Sequence, residues 1–182
     1  MTPSADALVV EAAAAASWRR HETGMLDLLQ DAVDGDASLG FLAPLDRDGV
    51  RTHWCLPVGE GLERGTHRAW LAFADEELIG AVVLALVGKE NAPHRAMVQK
   101  LAVHRKARRR GVGAALMRAL ETDAKRAGRW LLELDTDDGS AAVAFYRRLG
   151  WQDVGVIPDY SLSPHGVLKG TRFFYRKLEE SA

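Results

Sequence analysis

Cysteine is nearly missing: Cys55 stands alone among 182 residues, which excludes an internal disulfide, a CxxC redox pair and a cysteine-rich zinc site. A catalytic thiol stays formally open, but "RTHWCLP" offers only His53 nearby, so buried packing is the expected role of Cys55. Long apolar runs are missing too. The longest, "LIGAVVLALVG" from Leu78 to Gly88, is far short of the roughly 20 residues that cross a bilayer, so no membrane association is expected. Excess charge is missing: 24 Lys and Arg face 25 Asp and Glu, which disfavours a nucleic-acid-coating protein with its global positive surplus. The six histidines, at 21, 53, 67, 94, 104 and 165, form no HxxxH or HExxH pair, so no metal site is expected. "MTPSADALVV" has no basic stretch ahead of an apolar core, so a signal peptide is not expected and a cytoplasmic location is.

What is present is enough apolar material, 47% of the chain, for one substantial core, and residues 1–182 are expected to form one domain. "DALVVEAAAAASW" starts as a strand. Trp18, Met25, Leu28, Leu29 and Val33 fall at helical spacing over Ser17 to Val33, and "DGDAS" ends that helix. Asp46 to Gly65 reads as two short pieces, with Pro57 breaking the middle. "RAWLAFA" and "LIGAVVLALVG" form a hairpin around "DEE", and "RAMVQKLAV" adds a third antiparallel strand. Val112, Leu116 and Leu120 then mark an amphipathic helix stopped by Gly128, followed by the strand "WLLELD". That is a strand–helix–strand crossover, so its two strands should be parallel neighbours. Ala142, Phe145 and Leu149 mark a second helix, closed by Gly150, before the final strands "WQDVGVI" and "TRFFYRKL". If "RAMVQKL" is regular, Met97 and Gln99 share one face and Val98 and Lys100 the other.

The densest feature is "HRKARRRGVGAAL", six basic residues running into Gly111-Val112-Gly113 at a helix start. Open amides, a positive dipole end and glycines together suit a phosphate. A Walker loop is excluded, since neither its Lys nor its hydroxyl is present. A dinucleotide fold gains from Glu133 and Asp135 about 20 residues on, but Leu116 fills its third glycine position and the antiparallel hairpin fits it poorly. An RNA-binding patch would interleave aromatics with the charges, and this run has none.

"RRRGVG" from Arg108 resembles the R/Q-x-x-G-x-G/A pyrophosphate loop of the GCN5-related N-acetyltransferases. "AVAFYRRLGW" from Ala142 resembles their A-x-x-F/L-Y-x-x-x-G-F signature at the matching spacing. The resemblance implies an α/β (α+β) fold: a mixed, mostly antiparallel sheet of about seven strands flanked by helices. A splayed parallel pair would hold acetyl-coenzyme A. It implies that Leu101, Ala102 and Val103 lie along the pantetheine and that Arg108, Arg109, Arg110, Gly111, Val112, Gly113 and Ala114 cradle the pyrophosphate. Thr136, Ser140 and Phe145 would complete the cofactor site. "ASLGFLAPLD", "VQKLAV", "LLELDTDDGSAAVAFY" and "GVIPDYSLSPHGVLKGTRFFYRKL" are similar to the tabtoxin-resistance-protein group of that superfamily, which acetylates a small amine-bearing toxin. Met97 departs from it, standing where the group is expected to carry an acidic residue.

Acetyl transfer to an amine needs a neutral nucleophile, an oxyanion donor and a proton for the departing thiolate. A backbone amide of Leu101 to Val103 is the expected oxyanion donor. Tyr146, the Tyr of the second signature, is the candidate acid, against the alternative of simple packing. Asp135 is the candidate base, directly or through water, against the alternative of a cap. Without a carboxylate at 97, Asp135, Glu133 or water must accept the amine proton. Gln99, Asp159 and Tyr160 are candidate acceptor-binding residues, with His53, Trp54 and His165 as further pocket candidates. The partner is expected to be a small-molecule amine, such as a toxin or antibiotic, and a homodimer is compatible with the sequence. Two other readings stay open: a catalytically idle acyl-coenzyme A sensor, and a dinucleotide-binding oxidoreductase.

Overall fold

The computed structural model describes residues 8–178; the start of the strand-like run, at Asp6 and Ala7, lies outside them. Seven strands, β1 (Val9–Ala12), β2 (His67–Ala74), β3 (Glu77–Leu86), β4 (Arg95–Val103), β5 (Leu131–Asp137), β6 (Gln152–Leu162) and β7 (Leu168–Lys177), form one sheet. Their order is β1-β2-β3-β4-β5-β7-β6. Every neighbouring pair is antiparallel except β4 with β5. The crossover expected from the sequence is therefore present, and a doubly wound parallel sheet is not.

The centres of β2 and β3 are buried on both faces, which is why they read as continuous apolar runs. Asp75 and Glu76, at φ 47 and 65, make the two-residue turn between them. On one face α5 (Val112–Arg126) buries Leu116, Met117, Leu120 and Ala124 over Val82, Leu84, Val98, Leu132 and Leu134. Each fully buried Leu contributes about 1.5–3 kcal/mol. Gly80 of β3 permits that approach, since a Cβ there would lie 3.0 Å from Leu116 Cδ1 and 3.1 Å from Val112 Cγ1. Val143 and Tyr146 of α6 (Ala141–Arg148) join the same core.

Helices from the first third of the chain cover the other face. The single helix expected over Ser17 to Val33 is two, α1 (Ala15–Arg20) and α2 (Glu22–Asp34), turning at His21, whose φ of −97° and ψ of 13° leave the helix. Pro57 does not break the next segment. There α3 (Arg47–Val50) runs into a π-helical turn over Arg51–Cys55 and on into α4 (Leu56–Glu63). The wide turn, closed by the Leu56 N–H on the Arg51 carbonyl, makes room for a residue that has no donor of its own.

Candidate active site

Strands β4 and β5 pair at only three positions, Arg95 with Leu131, Ala96 with Leu132 and Met97 with Glu133. Beyond them β4 keeps its ladder with β3 through Val103, while β5 follows β7 through Asp137. The sheet therefore opens between Val98–Val103 and Leu134–Asp137, leaving one side of Leu101, Ala102 and Val103 without a strand partner.

A bulge sits at the lip of this opening. Val83 pairs with Gln99 but Ala81 with Ala102, and the surplus residue is accommodated at Lys100, whose φ is +50. This corrects the regular alternation expected of "RAMVQKL". Met97 and Gln99 do share a face, with Gln99 Nε2 3.8 Å from Met97 Sδ, and Val98 points the other way into the α5 core. Lys100 does not follow Val98: its Nζ lies 5.2 Å from the centroid of Phe41, which packs on the opposite core.

At the mouth, Arg109 and Gly111 both take left-handed conformations, φ 62 and 83, before α5 begins. The amides of Gly111, Val112, Gly113 and Ala114 donate to nothing among the described residues, and the first return bond is Ala115 N to Gly111 O, 2.9 Å. Two left-handed residues and open amides at the start of a fifteen-residue helix suit an anion. Only part of the basic run faces it. Arg105 is held by Asp31 of α2, Lys106 by Glu77 of β3, and Arg108 Nε donates to the Val103 carbonyl, 3.2 Å. Phe145 lies against the helix start, where a Cβ on Gly113 would stand 3.2 Å from its ring. Thr136 and Ser140 face each other across 3.5 Å at the end of β5.

Tyr146 is enclosed by Phe145, Trp151 and Phe174, with ring centroids 5.2, 6.0 and 5.8 Å away. Burial and then the charge of Asp135 raise its phenol above the usual range, keeping it protonated. Its hydroxyl has no hydrogen-bond partner among the described residues. Asp135 stands on β5 at the rim of the opening and is exposed. Desolvation raises its carboxyl, and the ammonium of Lys100 opposes that rise. Glu133 is engaged differently: Arg95 grips both its oxygens, each at 2.8 Å, which leaves Asp135 as the carboxylate open to the slot.

The acceptor-side candidates divide. Phe173 is the cross-strand partner of Asp135, and Tyr160 packs edge-on against Phe173 at 5.3 Å. Asp159, at φ +50, forms part of the irregularity in β6 that carries Tyr160. The loop after α2 reaches this end of the sheet, with Ala43 N bonded to Pro164 O at 2.8 Å and His165 3.9 Å from Asp36. His53 is exposed on the π-helical turn, and Trp54 is buried against Trp18, 5.2 Å away, inside the helical layer. Cys55 is buried, its thiol pushed up to about 12 first by desolvation and then by Glu22. Two open troughs of about 380 and 360 Å³ lie elsewhere, around Ala12, Trp70 and Asp123, and no nucleophile–base pair converges on either. No group of three or more His, Cys, Asp or Glu among the described residues could hold a metal, and no described helix is long and apolar enough to cross a membrane.

Lys100, Phe41 and Phe173 were not candidates from the sequence. The signal for Lys100 was present in the apolar parity of the strand, which runs Ala96, Val98 and then shifts to Leu101, Val103.

Known proteins resemble the chain in these same regions. The family described as "Acetyltransferase (GNAT) family" matches residues 23–151. The PanD regulatory factor of Salmonella typhimurium is 33% identical over 87 residues, which cover 47% of this chain and 65% of that relative, so the match spans less than two thirds of the relative's length. Among solved structures, the ribosomal-protein-alanine N-acetyltransferase of Brucella melitensis superposes with a TM-score of 0.75 at 20% identity, covering 93% of this chain and 99% of that one. An N-acetyltransferase of Staphylococcus aureus Mu50 gives 0.78 at 14%, covering 95% and 99%. The yncA protein of Salmonella typhimurium, with its cofactor acetyl-CoA, gives 0.75 at 16%, covering 97% and 96%. These structural likenesses share the fold.

Proposed function

This chain belongs to the GNAT acetyltransferase family, and on that premise we propose that it transfers the acetyl group of acetyl-coenzyme A to the amine of a small molecule. The observation that carries the reading is the opening between β4 and β5, with a left-handed loop of open amides at its mouth. Loop and opening suit a long, phosphate-bearing thioester: the amides of Gly111 to Ala114, with Arg109, would hold the pyrophosphate. The unpaired side of Leu101 to Val103 would align the pantetheine and offer an N–H to the oxyanion.

In this mechanism the neutral amine attacks the thioester carbonyl, an N–C bond forms and the C–S bond breaks. Asp135 accepts the proton lost by nitrogen, directly or through water, and Tyr146 supplies one to the departing sulfur. Desolvation makes Asp135 a better base and keeps the proton on Tyr146 until a thiolate forms beside it, although the raised phenol is a weaker acid than an ordinary tyrosine. Gln99, Asp159 and Tyr160 would contact the acceptor, which we take to be a small amine such as a toxin or antibiotic, as in the tabtoxin-resistance group. We also propose that residues 1–182 act as one domain in the cytoplasm.

A second reading, an acyl-coenzyme A-binding regulatory module, draws on Met97 and on the likeness to a regulatory factor. Calorimetric titration with acetyl-coenzyme A, coenzyme A and NAD tests the common premise. Binding of both coenzyme A forms without NAD is expected, and binding of NAD alone would sink it.

A further inference from the structure

Lys100 and Asp135 carry opposite charges on the two sides of the opening, yet they do not close on each other. Each feels the other's charge, but no ion pair or hydrogen bond joins them. Lys100 is half-buried, and a partly buried ammonium is commonly met by protein oxygens or settles on a carboxylate. Among the described residues Lys100 Nζ does neither; its neighbour is the face of Phe41, 5.2 Å away. Asp135 is exposed on its side of the opening, and no described residue fills its acceptor positions.

Three features hold the ammonium in that place. The bulge puts Lys100 at φ +50, a conformation a non-glycine residue keeps only when its surroundings impose it. Gly40 leaves it clearance, since a Cβ there would stand 3.2 Å from Nζ. Phe41 supplies a ring that attracts a cation without neutralising it. Neighbouring charges are already matched: Arg95 with Glu133, Lys169 with Asp137, and Arg172 with Asp138 and Asp153. Had the fold needed only neutrality at the slot, Lys100 could have been closed onto Asp135 in the same way.

We infer that the gap between Lys100 and Asp135 recognises an acceptor bearing a carboxylate beside its amine, an amino-acid-like small molecule. Lys100 donates to the carboxylate, Asp135 receives the amine, and Phe41 and Phe173 border the two ends. This rests on the acetyltransferase reading and narrows its substrate class. A peptide N-terminus, whose α-carboxylate is replaced by an amide, leaves Lys100 unmatched.

The test compares free amino acids with their carboxamides, their decarboxylated amines and short peptides. Two readouts are taken on the full chain: thiol release from acetyl-coenzyme A, and calorimetric binding to the complex with coenzyme A. The carboxylate member should win by at least about tenfold in kcat/KM, the size of one charge-assisted hydrogen bond. K100Q should reduce that ratio to near unity through KM while leaving acetyl-coenzyme A affinity unchanged, and K100R should retain most of it. Equal or better use of the amide, the amine or the peptide overturns the inference, as does an undiminished ratio in K100Q. Lys100-dependent binding of amino acids without any thiol release would keep this site and overturn the transferase reading. Thiol release indifferent to the carboxylate would do the reverse. Absence of discrimination in both readouts also overturns the inference, and the wild-type comparison decides alone if K100Q does not fold.

Discussion

Gly111 and Gly128 bound the same helix, take φ of 83 and 71, and have nothing within 4 Å of an added Cβ. Alanine at either site therefore meets no clash and introduces only left-handed strain, about 1 kcal/mol. How that strain is relieved should differ. The backbone around Gly128 is tied down by Gly128 N to Lys125 O and Arg129 N to Ala124 O, at 3.0 and 2.8 Å. Gly128→Ala must hold the strain or break those bonds, and should lower Tm by about 2–4 °C, the shift that 1 kcal/mol gives a chain of this size. The amides of Val112, Gly113 and Ala114 are unbonded and the Gly111 carbonyl is tied only by the Ala115 N–H at 2.9 Å, so Gly111→Ala can relax by loosening that one terminal helix bond and should lower Tm by less than Gly128→Ala does. Acetyl-coenzyme A must then restore the loop to bind, which weakens Kd by about fivefold, since 1.4 kcal/mol is tenfold. Gly128→Ala should leave Kd unchanged. A bulkier, β-branched residue at 111 should abolish binding. Calorimetry and thermal melts on both variants read the result. The assignment of this loop to the pyrophosphate is refuted if Gly111→Ala binds as the wild type, or if both variants lose affinity equally.

Other perturbations probe separate parts of the account. Tyr146→Phe should preserve acetyl-coenzyme A affinity and slow turnover; a normal kcat would remove the phenol from the proton path. Burial tends to raise the Asp31 carboxyl, but hydrogen bonds from Arg105 and the charges of His104 and Arg105 outweigh it, so its pKa lies below the ordinary 3.8. The stabilisation from a depressed carboxyl is complete above the unfolded value and lost as pH falls through the folded one. Asp31→Asn should thus lower Tm at pH 7, and the difference from wild type should shrink below about pH 4; a constant offset across pH would contradict this. Cys55, with its thiol pushed up to about 12, should resist alkylation in the native protein at pH 8 and react once unfolded, whereas rapid native labelling would contradict its burial.

The elements nearest the slot were legible because their signals are local. Val112, Leu116 and Leu120 repeat at helical spacing, and Gly128 and Gly150 end their helices at φ 71 and 83. The crossover between "KLAV" and "WLLELD" followed from its length. The place where β4 and β5 cease to pair has no such signature, because it depends on β5 following β7 instead. Charge was also misleading when read along the chain: Asp31 lies 74 residues from Arg105, and Glu77 29 from Lys106, yet they engage two of the six basic side chains of the run. Met25 to Val33 gave a helix correctly but could not reveal the turn at His21, which sits among residues of adequate helix propensity. The bulge at Lys100 needed only a closer reading of apolar parity in "AMVQKLAV".

Release of free coenzyme A thiol from acetyl-coenzyme A, measured with and without primary amines and followed by mass analysis of the amine, tests the central claim most directly. The account predicts amine-dependent thiol release with one acetyl group gained on nitrogen. Saturable acetyl-coenzyme A binding with no acetyl transfer to any small amine would contradict it.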